Sequence, residues 1–248
     1  MSRVSPVERF DGKTKWPPWT YHQHYARYAW ACQHAFGKTV VDAACGTGFG
    51  SQMLLNAGAV SVTSLDIDPQ AIRATHSAAP LATVLQGDVT DLPLPSASTD
   101  LYVSFETLEH VVDPEKCLAE AERILAPNGI LVISTPNRHL NSPGATVRSD
   151  TVNPFHQFEL TLSEFESMLT PRFDVLEICG QSFASQRYVD YLQRLASIRN
   201  LAVRVQQLRK LVIEIAGKSD HRVGPLRPHA HPDMFVALCR RRVDTQSR

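Results

Sequence analysis

The segment SFETLEHVV, residues 104–112, places three ionisable side chains in an otherwise apolar stretch of the chain. These are Glu106, Glu109 and His110, and spacings of three and four residues can bring such groups to one face of a helical turn. Carboxylates and imidazoles are costly to bury without partners. Such groups can take a proton from a hydroxyl or hold a divalent cation that makes the hydroxyl more acidic. The segment is therefore a candidate for a reactive site.

A second candidate site follows the first apolar strand, in the sequence VVDAACGTGFG of residues 40–50. A glycine turn between a strand and a helix lets backbone N–H groups come close to a ligand. Asp42 lies four residues before Gly46, and Asp66 ends the next strand, where a carboxylate can accept from both hydroxyls of a ribose. The glycine loop alone is a weak signal because several nucleotide-binding folds share it. Either aspartate alone could also cap a helix or end a strand.

The elements that position both candidates are short apolar runs that alternate with helix-like segments. The expected strands are KTVVDAA, AVSVTSLD, LATVLQGD, TDLYVSFE, GILVIST, FDVLEICGQ and MFVALCRR. Asp68–Pro69 and Asp113–Pro114 each combine a capping side chain with a proline at the first helical position. This alternation predicts an α/β fold with a parallel sheet that is covered on both faces. Ligands of such sheets bind beyond the carboxyl ends of the strands, where both candidates lie.

Two further helical regions are expected, an aromatic-rich helix over 19–37 and a long helical stretch over 184–216. In the second region, apolar residues recur at three- and four-residue steps, which favours a helix packed on the core. A lid over a substrate pocket and a homodimer contact are the alternatives. The loop over 134–160 is either a plain surface connection or a functional element.

Composition excludes several classes of protein. The 248 residues include 25 basic and 25 acidic side chains, and a net charge of zero disfavours a dedicated nucleic-acid binder. The five cysteines are odd in number and lack metal-type spacing, so we expect reduced thiols and a cytoplasmic location. We find no apolar run of the length that a signal peptide or a membrane span requires.

Four motifs occur in a fixed order, VVDAACGTG, SLDIDPQAI, GDVTDLPLPSASTDLYVSFETLEHV and ILAPNGILVISTPNR. Together they resemble class I S-adenosylmethionine-dependent methyltransferases over about residues 20–180, which makes a nicotinamide-binding fold a poor competitor. The resemblance implies a doubly wound, seven-stranded Rossmann-like sheet whose last strand is antiparallel, to which we add a helical cap insertion. Ala44 departs from the glycine usual in the family, an exchange that is mild if its φ is negative. The expected divisions are a lid over 1–36, the core over 37–183, the helical cap insertion and its loop over 184–230, and the last strand and tail over 231–248.

The resemblance also implies which residues bind the methionine part of S-adenosylmethionine. Gly46 and Gly48 would pass beside it. Asp42 would orient the loop and lie near the sulfonium. Arg27 or His24 would meet the methionine carboxylate.

The adenosine part is assigned in the same way. Asp66 would hold the ribose hydroxyls, and Ile67 would pack on the adenine. Asp88 would accept from the adenine amino group, and Val89 would donate its backbone N–H. Phe105 would lie along the cofactor at the end of the fourth strand.

The pattern E-x-x-E-H with a distant histidine comprises Glu106, Glu109, His110 and His156. It resembles ubiquinone-pathway O-methyltransferases and small-RNA 3′-terminal 2′-O-methyltransferases. That resemblance implies a divalent cation held by these four residues, whether magnesium, manganese or zinc, and an acceptor with two adjacent oxygens. The alternatives are a catalytic base or pocket wall without metal, formed by Glu109, His110 and His156, and a purely structural role.

We therefore expect a methyltransferase that acts on a hydroxyl of a small molecule, either a sugar or a phenol. The alternatives are an RNA 3′-terminal 2′-O-methyltransferase, a C- or N-methyltransferase without metal, and a cofactor-binding partner subunit without catalysis. Arginines in RLASIRNLAVRVQQLRK recur at five-residue steps, which is more typical of a solvated helix face than of a phosphate track. A nucleic-acid partner is therefore not expected.

Overall fold

The computed structural model describes residues 18–195, 198–215 and 219–242. The predicted lid over 1–36 and the predicted tail within 231–248 lie partly outside these residues, and so does part of the helical stretch over 184–216.

The described residues form one mixed sheet of eight strands. The strands are β1 Thr39–Ala43, β2 Ser61–Asp66, β3 Thr83–Gln86, β4 Thr99–Phe105, β5 Leu125–Pro136, β6 Phe173–Ser185, β7 Gly224–Pro225 and β8 Ala230–Arg241. Their order across the sheet is β3-β2-β1-β4-β5-β8-β6-β7. The pairings among β1 to β5 are parallel, whereas β8 lies antiparallel between β5 and β6. The antiparallel last strand that the family resemblance implies is confirmed.

The expected count of seven strands needs a correction, because β7 adds an eighth strand at the edge of the sheet. Its two residues pair with Cys179 and Gly180 of β6. A strand of two residues has no hydrophobic period, so the sequence offers no signal for it.

Eight helices pack on the sheet within the described part of the chain. They are α1 Pro18–Ala31, α2 Phe49–Asn56, α3 Pro69–Ala78, α4 Pro114–Ile124, α5 Arg138–Asn141, α6 Leu162–Leu169, α7 Gln186–Arg194 and α8 Arg199–Ile215. The predicted starts of α3 and α4 are confirmed, since the carboxylates of Asp68 and Asp113 accept from backbone N–H groups of the first turn. Thr161 caps α6, and Glu164 completes a reciprocal capping box.

The stretch over 184–216 is not a single helix, which corrects the prediction. Strand β6 continues through Ser185, whose hydroxyl accepts from the N–H of Tyr188 and caps α7. Helix α8 begins only at Arg199. The expected apolar stripe is only partly buried, because Leu208 is 60% and Val212 56% exposed. A homodimer contact through this region stays a prediction.

Two apolar clusters cover the faces of the sheet, as a buried parallel sheet requires. In β4, Tyr102 belongs to one cluster, and its neighbours Leu101 and Val103 belong to the other. This alternation follows from the two-residue period of a strand. Each helix among the described residues is either too short or too polar to cross a lipid bilayer.

Candidate active site

A cavity opens at the carboxyl ends of β1, β2 and β4, where a doubly wound sheet binds its ligands. Eight of the predicted site residues line it, namely His24, Ala44, Gly46, Asp66, Ile67, Phe105, Glu106 and His110. The structure therefore brings together the glycine loop, the end of β2 and the segment after β4.

The glycine loop is held to the end of β2 by the carboxylate of Asp66. This carboxylate accepts from the N–H of Gly46 at 3.0 Å and from the N–H of Asp68 at 2.9 Å. Gly48 has φ +79°, and a Cβ at this position would lie 2.6 Å from the Cα of Thr75. Only glycine combines that backbone conformation with so close an approach. The loop and the carboxylate therefore form one fixed wall of the cavity.

Ala44 lies in the same wall with φ +59°, so the condition under which the exchange of glycine for alanine would be mild is not met. The chain leaves β1 through a sharp turn in which Gly46 and Gly48 also have positive φ. A non-glycine residue in this conformation costs about 1–3 kcal/mol. The glycine usual at this position in the family therefore marks a left-handed backbone conformation, which this chain adopts with alanine.

Asp42 does not line the cavity and is fully buried beneath it. Its carboxylate accepts from the hydroxyls of Tyr28 at 2.8 Å and Ser51 at 2.6 Å, and Ser64 donates to the Ser51 hydroxyl at 2.8 Å. Burial raises the pKa of Asp42 to about 6. These bonds join α1 and α2 to β1 and hold the glycine loop from below. The predicted proximity of Asp42 to the sulfonium stays a prediction.

Arg27 also lies beneath the cavity wall and is fully buried. Its Nη2 forms an ion pair with Oε1 of Glu106 at 2.7 Å, and its Nη1 donates to Oε1 of Gln181 at 2.6 Å. His24, one turn earlier in α1, does line the cavity. Burial, with a smaller effect of the Arg27 charge, holds the pKa of His24 well below its usual value. Of the two residues expected at the methionine carboxylate, His24 lines the cavity and Arg27 does not, and the contact itself stays a prediction.

Asp88 and Val89 are not among the residues that line the cavity. Asp88 is exposed, and its Oδ1 accepts from the N–H and the hydroxyl of Thr90 at 2.8 and 2.9 Å. Val89 packs in the core. Their contacts with adenine stay predictions.

Three of the four predicted metal ligands come together beside the cavity. Glu109, His110 and His156 each offer one ligand atom, and these atoms lie within 4.8 Å of one another. Glu109 and His110 belong to a 3₁₀ turn after β4, and the rings of His110 and His156 have centroids 4.9 Å apart. Glu109 is buried, and its Oε1 has no hydrogen-bond partner among the described residues.

Glu106 is not part of this cluster within the described structure. Its φ is +52°, and its carboxylate pairs with Arg27 instead. The predicted common face requires a helical turn that includes Glu106, whereas the 3₁₀ turn begins only at Leu108. The spacing of three and four residues therefore does not bring Glu106 to the same face.

Hydrogen bonds indicate the tautomers of both imidazoles. Nδ1 of His110 lies 3.0 Å from the carbonyl oxygen of Phe155, which only accepts, so this nitrogen carries the proton. Nδ1 of His156 donates in the same way to Oε1 of Glu159 at 2.7 Å, and its Nε2 lies 3.0 Å from the amide nitrogen of Asn153. Both rings, when neutral, therefore leave Nε2 without a proton, the form that accepts a proton or binds a metal. On His156 this nitrogen accepts from the Asn153 amide, a bond that a proton or a metal would have to displace.

The donor set fits a divalent cation. Burial raises the pKa of Glu109 to about 8, although the neighbouring His156 opposes the rise. Glu109 is a buried carboxylate with an unpartnered oxygen, and it lies beside two imidazoles whose Nδ1 atoms are hydrogen-bonded. A cation would satisfy this arrangement. Two imidazoles suit zinc or manganese better than magnesium, which prefers oxygen ligands.

Comparison with known proteins agrees with the fold and with the glycine loop. Residues 41–133 match the methyltransferase domain family. Over 161 residues the chain is 34% identical to a probable S-adenosylmethionine-dependent methyltransferase of Mycolicibacterium smegmatis, covering 64% of this chain and 61% of that protein. Over 116 residues it is 35% identical to a ubiquinone biosynthesis O-methyltransferase of Haemophilus ducreyi, covering 43% of this chain and 49% of that protein. The crystal structure of an S-adenosylmethionine-dependent methyltransferase from Mesorhizobium loti has a TM-score of 0.61 and 18% identity, covering 88% of this chain and 100% of that one. At that identity the last likeness shows the fold alone.

Residues 41–133 thus match a methyltransferase domain, and the resemblance to S-adenosylmethionine-dependent methyltransferases on which the four motifs agree is confirmed. The chain spans about three fifths of the length of three curated relatives, with coverage of 61%, 57% and 57%.

Several residues of the site escaped the sequence argument. Tyr28 and Phe49 line the cavity with their rings 5.2 Å apart, and Tyr28 also meets the ring of Phe105 edge to face at 5.0 Å. Tyr28 follows Arg27 directly in the aromatic-rich helix α1, and these two features could have indicated it as a site residue. Asn153 and Glu159 lie three residues before and three residues after His156, and this spacing could have indicated them as its partners.

Proposed function

We propose that this protein transfers a methyl group from S-adenosylmethionine to a hydroxyl oxygen of a small molecule. The observation that carries the proposal is the cluster of Glu109, His110 and His156. One of its members, His110, lines the cavity that the glycine loop and Asp66 enclose. The cluster therefore lies where a hydroxyl would meet the methyl donor.

The cavity suits the methyl donor in three respects. The glycine loop has no side chain at Gly46 or Gly48, so its backbone can lie close to the methionine part. The carboxylate of Asp66, fixed by two N–H donors, can accept from the ribose hydroxyls. Ile67 is 60% exposed at the cavity rim, where it offers an apolar surface to a planar base. When bound, S-adenosylmethionine supplies an electrophilic methyl carbon on a positively charged sulfur.

His110 is suited to take the proton of the acceptor hydroxyl. Its Nδ1 is held by the carbonyl of Phe155, which leaves the Nε2 lone pair to accept the proton as the oxygen–carbon bond forms and the carbon–sulfur bond breaks. Positioning of the acceptor by the neighbouring His156 and Glu109 adds to this effect.

Glu109, His110 and His156 are also the residues that would hold a divalent cation. When bound, such a cation would lower the pKa of the acceptor hydroxyl and fix the position of its oxygen. His110 would then act as a ligand and not as the base.

The test combines metal content with turnover. The purified protein is dialysed against EDTA, and magnesium, manganese or zinc is added back. Consumption of S-adenosylmethionine is then followed with catechols, deoxysugar nucleotides and short RNAs. If metal content and turnover both return with one cation, and Glu109→Ala loses both, the cation role holds. If turnover is unchanged by EDTA and by Glu109→Ala, the proposed role of a cation is wrong and His110 remains as the base. Turnover with RNA alone would contradict the small-molecule acceptor.

A further inference from the structure

A second cavity lies beside the cavity of the glycine loop and Asp66, which we call the donor cavity. The rings of His110 and His156, the histidine pair, separate the two cavities. His110 lines the donor cavity and His156 lines the second one. The two rings are nearly perpendicular, at 77°, with centroids 4.9 Å apart. A molecule in the second cavity would therefore reach the donor side past these two imidazoles.

The second cavity, which we call the amide cavity, has nine described lining residues, and among these only Val152 and Pro154 are apolar. The other seven are Asn141, Asn153, His156, Glu159, Gln206, Gln207 and Lys210. Four are amides, and three of these, Asn141, Asn153 and Gln206, already use side-chain N–H groups within the protein. The exposed Gln207 can offer both donors and an acceptor, which matches the two-sided hydrogen bonding of hydroxyl groups. A phenol or catechol ring needs flat apolar walls, and none of the described lining residues is Phe, Tyr or Trp.

Glu159 gives an independent sign of a ligand in the amide cavity. Its side chain is fully buried, and its Oε1 accepts from Nδ1 of His156. Its Oε2 is buried and has no hydrogen-bond partner among the residues that the structure describes. Buried carboxylate oxygens are nearly always hydrogen-bonded, so a ligand hydroxyl that donates to Oε2 would complete this group.

The charge of the amide cavity favours a neutral ligand. Lys210 is the only cationic residue of the described lining apart from the imidazole, and its Nζ lies 2.6 Å from the buried carboxylate of Asp233. The same carboxylate accepts from the amide of Gln206 at 3.3 Å. The positive charge of Lys210 is thus already neutralised within the protein, and Glu159 disfavours an anion.

We infer that the amide cavity is the acceptor subsite and that it takes a neutral molecule with several hydroxyls, such as a hexoside, rather than a phenol. The inference rests on the proposed function, since it places the acceptor of that reaction. One hydroxyl of the ligand donates to Oε2 of Glu159, and a neighbouring hydroxyl meets the histidine pair.

The experiment measures binding and not turnover. Saturation-transfer NMR is recorded with methyl glucoside, methyl galactoside, methyl mannoside and catechol, with and without S-adenosylhomocysteine. Calorimetry measures S-adenosylhomocysteine separately. We expect at least one hexoside to bind, whereas catechol does not. Glu159→Gln should weaken hexoside binding about tenfold, because an oriented acceptor is lost from a hydrogen-bonding site.

Two neighbouring positions of α8 provide a matched pair of variants. Gln207 is exposed and lines the amide cavity, so Gln207→Trp fills it and should abolish hexoside binding. Leu208 is 60% exposed and is not a lining residue, so Leu208→Trp should bind like the parent protein.

Each other outcome points to a different error. If no hexoside binds, or if Gln207→Trp and Glu159→Gln leave binding unchanged, the inference is overturned, and the proposed methyl transfer stands as long as S-adenosylhomocysteine binds. If S-adenosylhomocysteine fails to bind the parent protein, the proposed function fails, and the hexoside spectra recorded without it still test the amide cavity.

Discussion

The donor cavity and the amide cavity meet at one pair of histidines but are built in different ways. The donor cavity is formed largely at the carboxyl ends of strands, at 44–47, 66–67 and 105–107, together with residues of α1 and α2. The described lining of the amide cavity comes from Asn141 of α5, from the loop at 152–154, 156 and 159, and from 206, 207 and 210 of α8. Turns at strand ends are set by the fold, whereas residues on a peripheral loop and helix can change by substitution without altering the sheet. The fold therefore fixes the residues around the proposed methyl donor, whereas a few residues that can be exchanged determine the acceptor.

The largest effect should come from removing the anchor of the donor side. Asp66→Ala removes both the acceptor for the Gly46 N–H and the proposed ribose contact, each a charge-assisted bond worth about 1.5–3 kcal/mol. We expect S-adenosylhomocysteine affinity, measured by calorimetry, to fall by about 100-fold or more. Asp91→Asn, at an exposed position, is the control. Unchanged affinity in Asp66→Ala would refute the assignment of this wall.

A matched change on the acceptor side should separate turnover from donor binding. His156→Ala removes one of the two imidazoles, and we expect turnover to fall by about 100-fold, the lower range for a lost acid–base group. The affinity for S-adenosylhomocysteine should stay within about twofold, because His156 does not line the donor cavity. Exposed His76→Ala serves as the control. A parallel loss of donor affinity would mean that the two cavities are not independent.

A pH effect on stability should trace to Asp42, which supports the donor wall from below. Its pKa rises from 3.8 to about 6 on folding, so the folded state keeps a proton that the unfolded state releases. This contribution to stability is fully present below pH about 4 and is lost as the pH rises through about 6, at most about 3 kcal/mol. Urea denaturation between these pH values should show that Asp42→Asn lacks this part of the decline. Identical pH profiles for the two proteins would exclude Asp42 as its source.

The smallest effect concerns the backbone of the donor wall. Ala44→Gly relieves a left-handed alanine, and we expect a gain of about 0.5–1 kcal/mol in the free energy of unfolding. Ala43→Gly, one residue earlier inside β1, should instead cost about that amount, because glycine weakens a strand. Chemical denaturation of both variants checks the signs. A loss of stability in Ala44→Gly would show that the methyl group of Ala44 contributes more by packing than its φ costs.

The sequence by itself determined the parts of this protein that depend on local chemistry. The strand alternation, the starts of the helices at Asp68 and Asp113 and the glycine loop after β1 were all predictable, because caps, periodicity and tight turns involve neighbouring residues. Family resemblance supplied the donor, and its contacts with Gly46 and Asp66 stay predictions.

Only the tertiary structure decided which ionisable groups meet. Glu106 turns away to the buried Arg27, while His156 comes from a distant loop to join Glu109 and His110. Such contacts depend on how separate segments pack and on the backbone conformation of single residues, which spacing along the chain does not encode. For the same reason, the sequence could not predict the buried Oε2 of Glu159. Burial is a property of the packed molecule and not of the segment that carries the residue.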